Sequence, residues 1–199
     1  MRVAAISAEP QTVVAAVLEA LSAGGPGDEQ YQDDLTDGPG YALLDQDAGS
    51  TFAGCLCEAG IAPARVCKFL MVVRTYPIRV GGESGPLTAE LSWQEIEERS
   101  GLTGLAEKEL TSKTNRLRRA GEPEWDLLRK AAVFNAPTDV ALTFADYLST
   151  ENTNASRFEQ GPDETIRFVD EVEGVTGARV SLIATGFDAR RGVINRRQW

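Results

Sequence analysis

Guanidinium groups dominate the chemistry this sequence can offer. Its one basic cluster, TNRLRRAG at residues 114–121, sets Arg116 and Arg118 two apart, so an extended backbone would turn both side chains to one face and Leu117 and Arg119 to the other. Two planar forks on one face suit a carboxylate or a phosphate, which accept paired N–H donors. The competing reading is a solvated turn whose arginines pair with Glu122 or Glu124, and charge alone favours it. A further arginine, Arg79, stands where a β-branched run gives way to glycines. Residues 72–91 read VVRTYPIRVGGESGPLTAEL. The first half has strand character, whereas Gly81, Gly82, Ser84, Gly85 and Pro86 fit only a tight loop, whose backbone N–H groups would let an anion or a ribose approach. The loop lacks the spacing of a P-loop or a dinucleotide fingerprint, so on spacing alone it reads as a wide turn. Asp146 follows a buried run at residues 140–144, a place where aspartate ordinarily caps a turn.

What the chain lacks is equally informative. It has 199 residues and no histidine, so no imidazole is present for proton transfer or metal ligation. Cys55, Cys57 and Cys67 have no CxxC spacing and read as reduced core thiols. The net charge of −10 is concentrated in residues 1–64, where ten acids face a single base, Arg2. An acidic chain without a long basic block is a poor partner for nucleic acid or a membrane surface. No basic leader and no run of about 18 apolar residues occurs, which points to a cytoplasmic protein. With 42% hydrophobic residues the chain can bury one sizeable core.

The elements that must position these groups follow from periodicity and punctuation. Residues 2–7 read as a strand and 11–21 as an amphipathic helix, followed by a Gly/Pro/Asp-rich linker at 22–40. Ser50 can cap a helix that turns Phe52, Cys55 and Leu56 inward and stops at Gly60. Residues 68–75 form a buried strand entering the glycine loop. Ser92 and Glu95 make a capping box, so a helix runs from there to about Arg99 and ends at Gly101. Residues 103–113 are a short helix or loop. Pro123 at a first-turn position opens a helix carrying Trp125, Leu127, Leu128, Ala131, Ala132 and Phe134, ended by Pro137. After the strand at 140–144 come a polar loop at 148–161, a helix capped by Asp163 and stopped at Gly174, a strand at 178–185 and an edge strand at 193–195. This is an α/β domain with a mixed, mainly parallel sheet flanked by helices.

Read together, these stretches resemble the adenylosuccinate synthetase family, GTP-dependent ligases that join aspartate to IMP. The resemblance rests on Tyr76, Arg79, Val80 and Gly81, then Gly85, Pro86, Glu90 and Leu91, flanked in family order by LLDQDAG (43–49), STFAGCLCEAGIAP (50–63), TNRLRRAG (114–121) and IATG (183–186). It covers residues 38–199 and corresponds to the family's C-terminal half, leaving 1–37 as an acidic β-α start and linker. The family's order implies substrate contacts at Arg79, Val80, Gly81, Thr114 and Arg116. It implies nucleotide contacts at Arg118, Asp146, Thr185 and Gly186, with Asp146 accepting from guanine. Gly40 stands for the family's glutamine, Asn115 for a glycine and Phe144 for a lysine, and Ala184 and Phe187 flank Thr185-Gly186.

The resemblance also implies GTP and Mg²⁺ as cofactors in purine nucleotide (AMP) biosynthesis. Family chemistry uses a phosphate-cradling loop, a carboxylate base and a histidine acid. Gly27-Asp28-Glu29 begins like the family's GDEGKGK loop but continues Gln-Tyr-Gln, and no lysine occurs before Lys68. Neither a catalytic residue nor a metal site is assigned to this chain. Two readings stay open. The chain supplies the IMP, aspartate and GTP-binding half of a truncated P-loop-type ligase whose other half is a partner chain, or it is a non-catalytic relic serving as a nucleotide-binding or protein-interaction module. Either way a face that packs against the missing half in the family is expected to find a partner or a second copy.

Overall fold

The computed structural model describes residues 52, 53, 56, 62–79, 87–111, 115–186 and 192–197. The expected strand, helix and linker within 2–40, the 43–49 motif, Cys55, Cys57 and the glycine loop at 80–86 lie outside these residues. Phe52, Ala53 and Leu56 are helical, as Ser50 capping predicts, and Leu56 is buried. In chain order the elements are β1 (Leu70–Arg74), β2 (Ile78–Arg79), β3 (Glu90–Leu91), α1 (Trp93–Ser100), α2 (Leu105–Lys108), β4 (Arg119–Gly121), α3 (Trp125–Asn135), β5 (Asp139–Thr143), α4 (Asp163–Thr176), β6 (Arg179–Ala184) and β7 (Val193–Asn195).

Two sheets share the load. The larger has the order β1-β5-β6-β7, with β1, β5 and β6 parallel and β7 antiparallel at the edge. All five residues of β5 are buried, as a strand between two parallel neighbours requires. The smaller sheet, β2-β4-β3, is antiparallel. This is the mixed, mainly parallel α/β sheet expected, with an added ribbon.

The main core lies on one face of the large sheet. Val140 and Leu142 of β5, Val180 and Ile183 of β6 and Ile194 of β7 pack against Val169 and Val172 of α4, with Trp125 and Leu128 of α3 closing the side. A second core joins α1, α2 and the small sheet through Tyr76, Ile78, Trp93, Ile96, Leu105 and Tyr147. Phe168 of α4 touches both.

Local chemistry sets most boundaries. Ser92 Oγ accepts from the Glu95 N–H at 3.2 Å while the Glu95 carboxylate accepts from the Ser92 N–H at 2.8 Å, and α1 ends at Gly101 with φ +76°. Elsewhere the expectation shifts. Residues 72–79 are not one strand: β1 leaves the large sheet after Arg74, although the Thr75 N–H still donates to the Thr143 carbonyl. Pro77 has no N–H for a ladder, and beyond it Ile78 and Arg79 join the small sheet. Pro123 stands before α3 rather than in its first turn, since Glu124 is the N-cap. Asp163 is the first residue of α4, with Pro162 as N-cap, and the helix passes through Gly174 to end at Gly177 with φ +66°. An interior glycine costs only about 1 kcal/mol, less than the packing of Val172 and the bond from Thr176 Oγ1 to the Val172 carbonyl (2.7 Å) restore. Cys67 is exposed, so it is not a core thiol.

Leu142→Ala should lower the unfolding free energy by about 2–5 kcal/mol, because a fully buried side chain at the centre of β5 leaves a cavity. Val133→Ala, at a position 72% exposed on α3, should change it by less than about 0.5 kcal/mol. Urea unfolding midpoints compare the two.

Candidate nucleotide site at the carboxyl edge of the sheet

Because β1, β5 and β6 are parallel, their ends at Arg74, Thr143 and Ala184 share one edge of the sheet. Open α/β sheets take ligands outside that edge. Here β5 runs into a tight turn. Phe144 adopts φ +61°, a left-handed conformation costly for a bulky residue, and residues 145–147 form a single 3-10 turn. Neighbouring contacts hold the strained geometry. Ala145 is buried in the main core and Tyr147 in the second core, and the side-chain amide of Asn152 donates to the Ala145 carbonyl and to Thr165 Oγ1, both at 2.7 Å.

Asp146 lies between those two anchors, 6% exposed, and its Oδ1 has no hydrogen-bond partner among the described residues. Phe144 and Thr185 each stand two residues beyond the Leu142–Ile183 pair of the ladder, which brings Thr185 alongside the turn. Thr185 is 1% exposed; its N–H donates to the Gly192 carbonyl at 2.6 Å, while its Oγ1 also lacks a partner. Next to it, Gly186 has nothing among the described residues within 4 Å of where a Cβ would stand. Two buried oxygens thus stand beside one open backbone position, each with acceptor capacity that no described residue fills. Burial also pushes the Asp146 carboxyl above its ordinary value, against the pull of Arg74 and Lys108.

Beside this turn lies a buried ionic knot centred on Glu109, 2% exposed. Its Oε1 accepts from Arg74 Nη2 at 2.7 Å and from the Tyr147 hydroxyl at 2.7 Å, and Arg118 Nη1 lies 3.6 Å from Oε2. The Arg74 guanidinium also stacks 3.7 Å from the centre of the Phe144 ring. Burial and the Glu109 charge hold the Tyr147 phenol far above its usual range, so it stays a donor. Arg118 is fixed further, its Nη1 donating to the Leu110 carbonyl at 3.0 Å and its carbonyl accepting from Trp93 Nε1 at 2.7 Å.

The basic cluster therefore has an order that spacing did not reveal. Leu110 and Leu117 bridge as in a hairpin, closed by the Thr111 N–H to the Arg116 carbonyl and the Arg118 N–H to the Glu109 carbonyl, both 2.9 Å. Arg118 faces Glu109 while Arg116 is exposed at the hairpin end, so the two do not share one environment. Glu122 and Glu124 are not their partners either: Glu122 takes Arg99 at 2.7 Å and Glu124 the Thr88 N–H at 3.2 Å, while Arg119 pairs with Glu90. Arg79 is buried in β2 opposite Arg119 of β4. Val80, Gly81 and Thr114 lie outside the described residues. Of the residues singled out by sequence, Asp146, Thr185 and Gly186 come together, with Arg118 next to them in the knot. Arg74, Glu109 and Tyr147 were missed, because a lone glutamate in a polar stretch carries no periodic mark.

A family model for adenylosuccinate synthetase matches residues 47–153. The chain belongs to the adenylosuccinate synthetase family. Its relatives include the adenylosuccinate synthetase of Methanocaldococcus jannaschii, 32% identical over 146 residues, which make up 73% of this chain and 39% of that protein. The Pyrococcus horikoshii adenylosuccinate synthetase is 31% identical over 147 residues, covering 74% of this chain and 41% of that protein. The chain thus spans about two fifths of the length of these synthetases. Among solved structures, the fully ligated adenylosuccinate synthetase of Plasmodium falciparum superposes with a TM-score of 0.61 at 17% identity, over 74% of this chain and 44% of its own. The succinoaminodeoxyadenylate synthetase of cyanophage S-2L, solved with dGMP and dATP, gives 0.55 at 23% identity, over 73% of this chain and 39% of its own. These two matches bear on the fold, which is that of a synthetase in part. The family chemistry implies Mg²⁺; among the described residues no group of three or more acids, cysteines or histidines is placed to hold a metal ion by itself, and an ion carried mainly by nucleotide phosphates would need fewer protein ligands. No helix among them is long and apolar enough to cross a membrane.

Two outcomes test the site. Glu109→Gln strands the buried Arg74 without a counter-charge and should cost about 3–5 kcal/mol in urea unfolding, whereas Glu109→Gln with Arg74→Met should cost less. Asp146 gives a pH signature. Its folded value is raised above the ordinary 3.8, so the unfolded chain releases its proton first and stability falls as pH rises through the interval between the two. Asp146→Asn should therefore be more stable than the parent at neutral pH without ligand. That advantage should vanish as pH falls below the ordinary carboxylate value, as melting temperatures across pH will register.

Proposed function

We infer that this chain supplies the nucleotide- and substrate-facing half of a GTP-dependent ligase of the adenylosuccinate synthetase type, in purine nucleotide (AMP) biosynthesis, and needs a second chain for catalysis. The observation that carries this reading is the pair of buried, unpartnered oxygens on Asp146 and Thr185 at the carboxyl edge of the sheet. A guanine base presents two adjacent N–H donors, and a desolvated carboxylate is the acceptor that matches them. Thr185 Oγ1 and the open backbone at Gly186 would border the same base, and Arg118, steadied by Glu109, would lie toward its phosphates. Arg79, Val80, Gly81, Thr114 and Arg116 would hold IMP and aspartate.

The steps that break and form bonds lie with groups this chain does not carry. No histidine is present to act as acid, and no glycine-lysine loop to cradle the γ-phosphate. A partner bearing both would complete the site. A second reading, a relic that binds nucleotide or protein without catalysis, draws support from Phe144, which fills the family's lysine position and has one face covered by Arg74.

Thermal titration separates them. GTP should raise the melting temperature of the parent chain and ATP should not, and Asp146→Asn should erase the difference. IMP or aspartate should stabilise the parent but not Arg116→Ala, whose unliganded melting temperature should match the parent's, because that side chain is exposed. Alone, the chain should release no phosphate from GTP with IMP, aspartate and Mg²⁺. Activity should return on mixing with a separate chain that carries the phosphate loop and a histidine. No shift with any of these ligands at millimolar concentration would overturn the ligase reading in favour of the relic.

A further inference from the structure

At the opposite edge of the large sheet, a half-open cleft of about 250 Å³ is lined by three arginines, Arg157, Arg179 and Arg196, together with Phe158, Glu159 and Asn195. Arg179 is the first residue of β6 and Thr185 follows its last, so at strand spacing the cleft lies about 20 Å from the nucleotide edge. Two of the arginines differ sharply in their engagements. Arg196 is a fixed wall: its Nη1 donates to Glu173 Oε1 at 2.8 Å and to the Val180 carbonyl at 2.9 Å, and its guanidinium lies 3.9 Å from the centre of the Phe158 ring. Glu173 is held in turn by the Val180 N–H at 2.9 Å, so its charge is committed. Arg179 has no such tie. Its Nε is buried without an acceptor, and its side chain makes no ion pair among the described residues.

The two Nη groups of Arg179 are not among the sealed atoms and have no partner among the described residues, so they are the donors an anion in the cleft can reach. With Arg196 neutralised by Glu173, Arg157 and Arg179 leave the cleft net positive against Glu159, in a protein whose overall charge is −10. The paired Nη groups at the end of a guanidinium form a fork that matches two oxygens of a tetrahedral anion. Because Arg196 already covers one face of Phe158, the geometry favours an anion over a stacked base.

We propose that this cleft is a phosphate-binding site, separate from the nucleotide edge, in which Arg179 and Arg157 grip a phosphate group against the wall formed by Arg196. That chemistry is shared by inorganic phosphate and by the 5′-phosphate of a nucleotide. The site is independent of the ligase reading, since none of its residues belongs to the nucleotide edge.

The test uses the full chain, with melting temperature and ³¹P line width as readouts at constant ionic strength set with chloride. Inorganic phosphate at millimolar concentration should raise the melting temperature, and its ³¹P line should broaden. Arg179→Ala should weaken binding about tenfold or more, Arg157→Ala should weaken it as well, and Asp146→Asn should leave it unchanged. AMP and adenosine distinguish the sources: AMP binding more tightly than phosphate, with adenosine silent, assigns a nucleotide phosphate, and equal affinities assign the free ion. Absence of a phosphate-dependent shift or broadening in the parent overturns the proposal, as does an effect that survives in the arginine variants. Should Arg179→Ala not fold, Arg157→Ala decides, because that residue is exposed.

Discussion

The carboxylate of Glu109 is the constraint around which the site is arranged. A charge this deeply buried is unstable alone, and here it is compensated by a close Arg74, a Tyr147 hydroxyl and a more distant Arg118. Each partner comes from a different element: the end of β1, the turn after β5, and the strand of the hairpin that leads into β4. A single ionised group thus sets where the large sheet, the turn bearing Asp146 and the basic hairpin meet. Replacing such a knot with apolar side chains need not cost stability, so its value lies in fixing one relative arrangement of those three segments.

That arrangement leaves the carboxyl edge of the sheet with a defect the core tolerates. Asp146 and Thr185 are buried without acceptors or donors to complete them, and Phe144 sits in a strained backbone conformation next to them. Such features persist only where the surroundings over-determine them. The surroundings here are two apolar cores and the buried amide of Asn152, all converging on residues 145–147.

How much of this could be read in advance differs by element. The capping box at Ser92 and the left-handed glycine at Gly101 depend on contacts four residues apart or fewer, and both are found where periodicity and punctuation place them. β5 and β6 also stand within a residue of where their apolar residues place them, although Phe144, expected at the end of the first, belongs to the turn. Misplaced features depend on distant partners. Whether α4 stops at Gly174 or Gly177 is decided by packing against the sheet, and the break after Arg74 by where β4 lies. The polar loop at 148–161 conceals Asn152, whose role appears only once the Ala145 carbonyl stands 2.7 Å away. For the candidate site, Asp146, Thr185 and Gly186 were singled out by resemblance alone, since a carboxylate after a strand is otherwise a turn cap. Glu109, the group that orders the site, left no trace, because its three partners are 35, 9 and 38 positions away.

Although the chain spans about two fifths of its relatives' length, the turn after β5 has a defined geometry. The turn that presents Asp146 is anchored on both sides by cores made wholly of residues from this chain: Ala145 belongs to the sheet-α3-α4 core and Tyr147 to the α1-α2 core. Phe168 of α4 touches both clusters, so displacing one disturbs the other. The turn at residues 145–147 is therefore held by internal packing. By contrast, the exposed Arg116 at the hairpin end is held only through its backbone, by bonds to Thr111. Packing thus fixes the turn that carries Asp146 before any ligand arrives and leaves the Arg116 side chain free to order on contact, so the ordering cost of binding would fall on the hairpin end rather than on the turn.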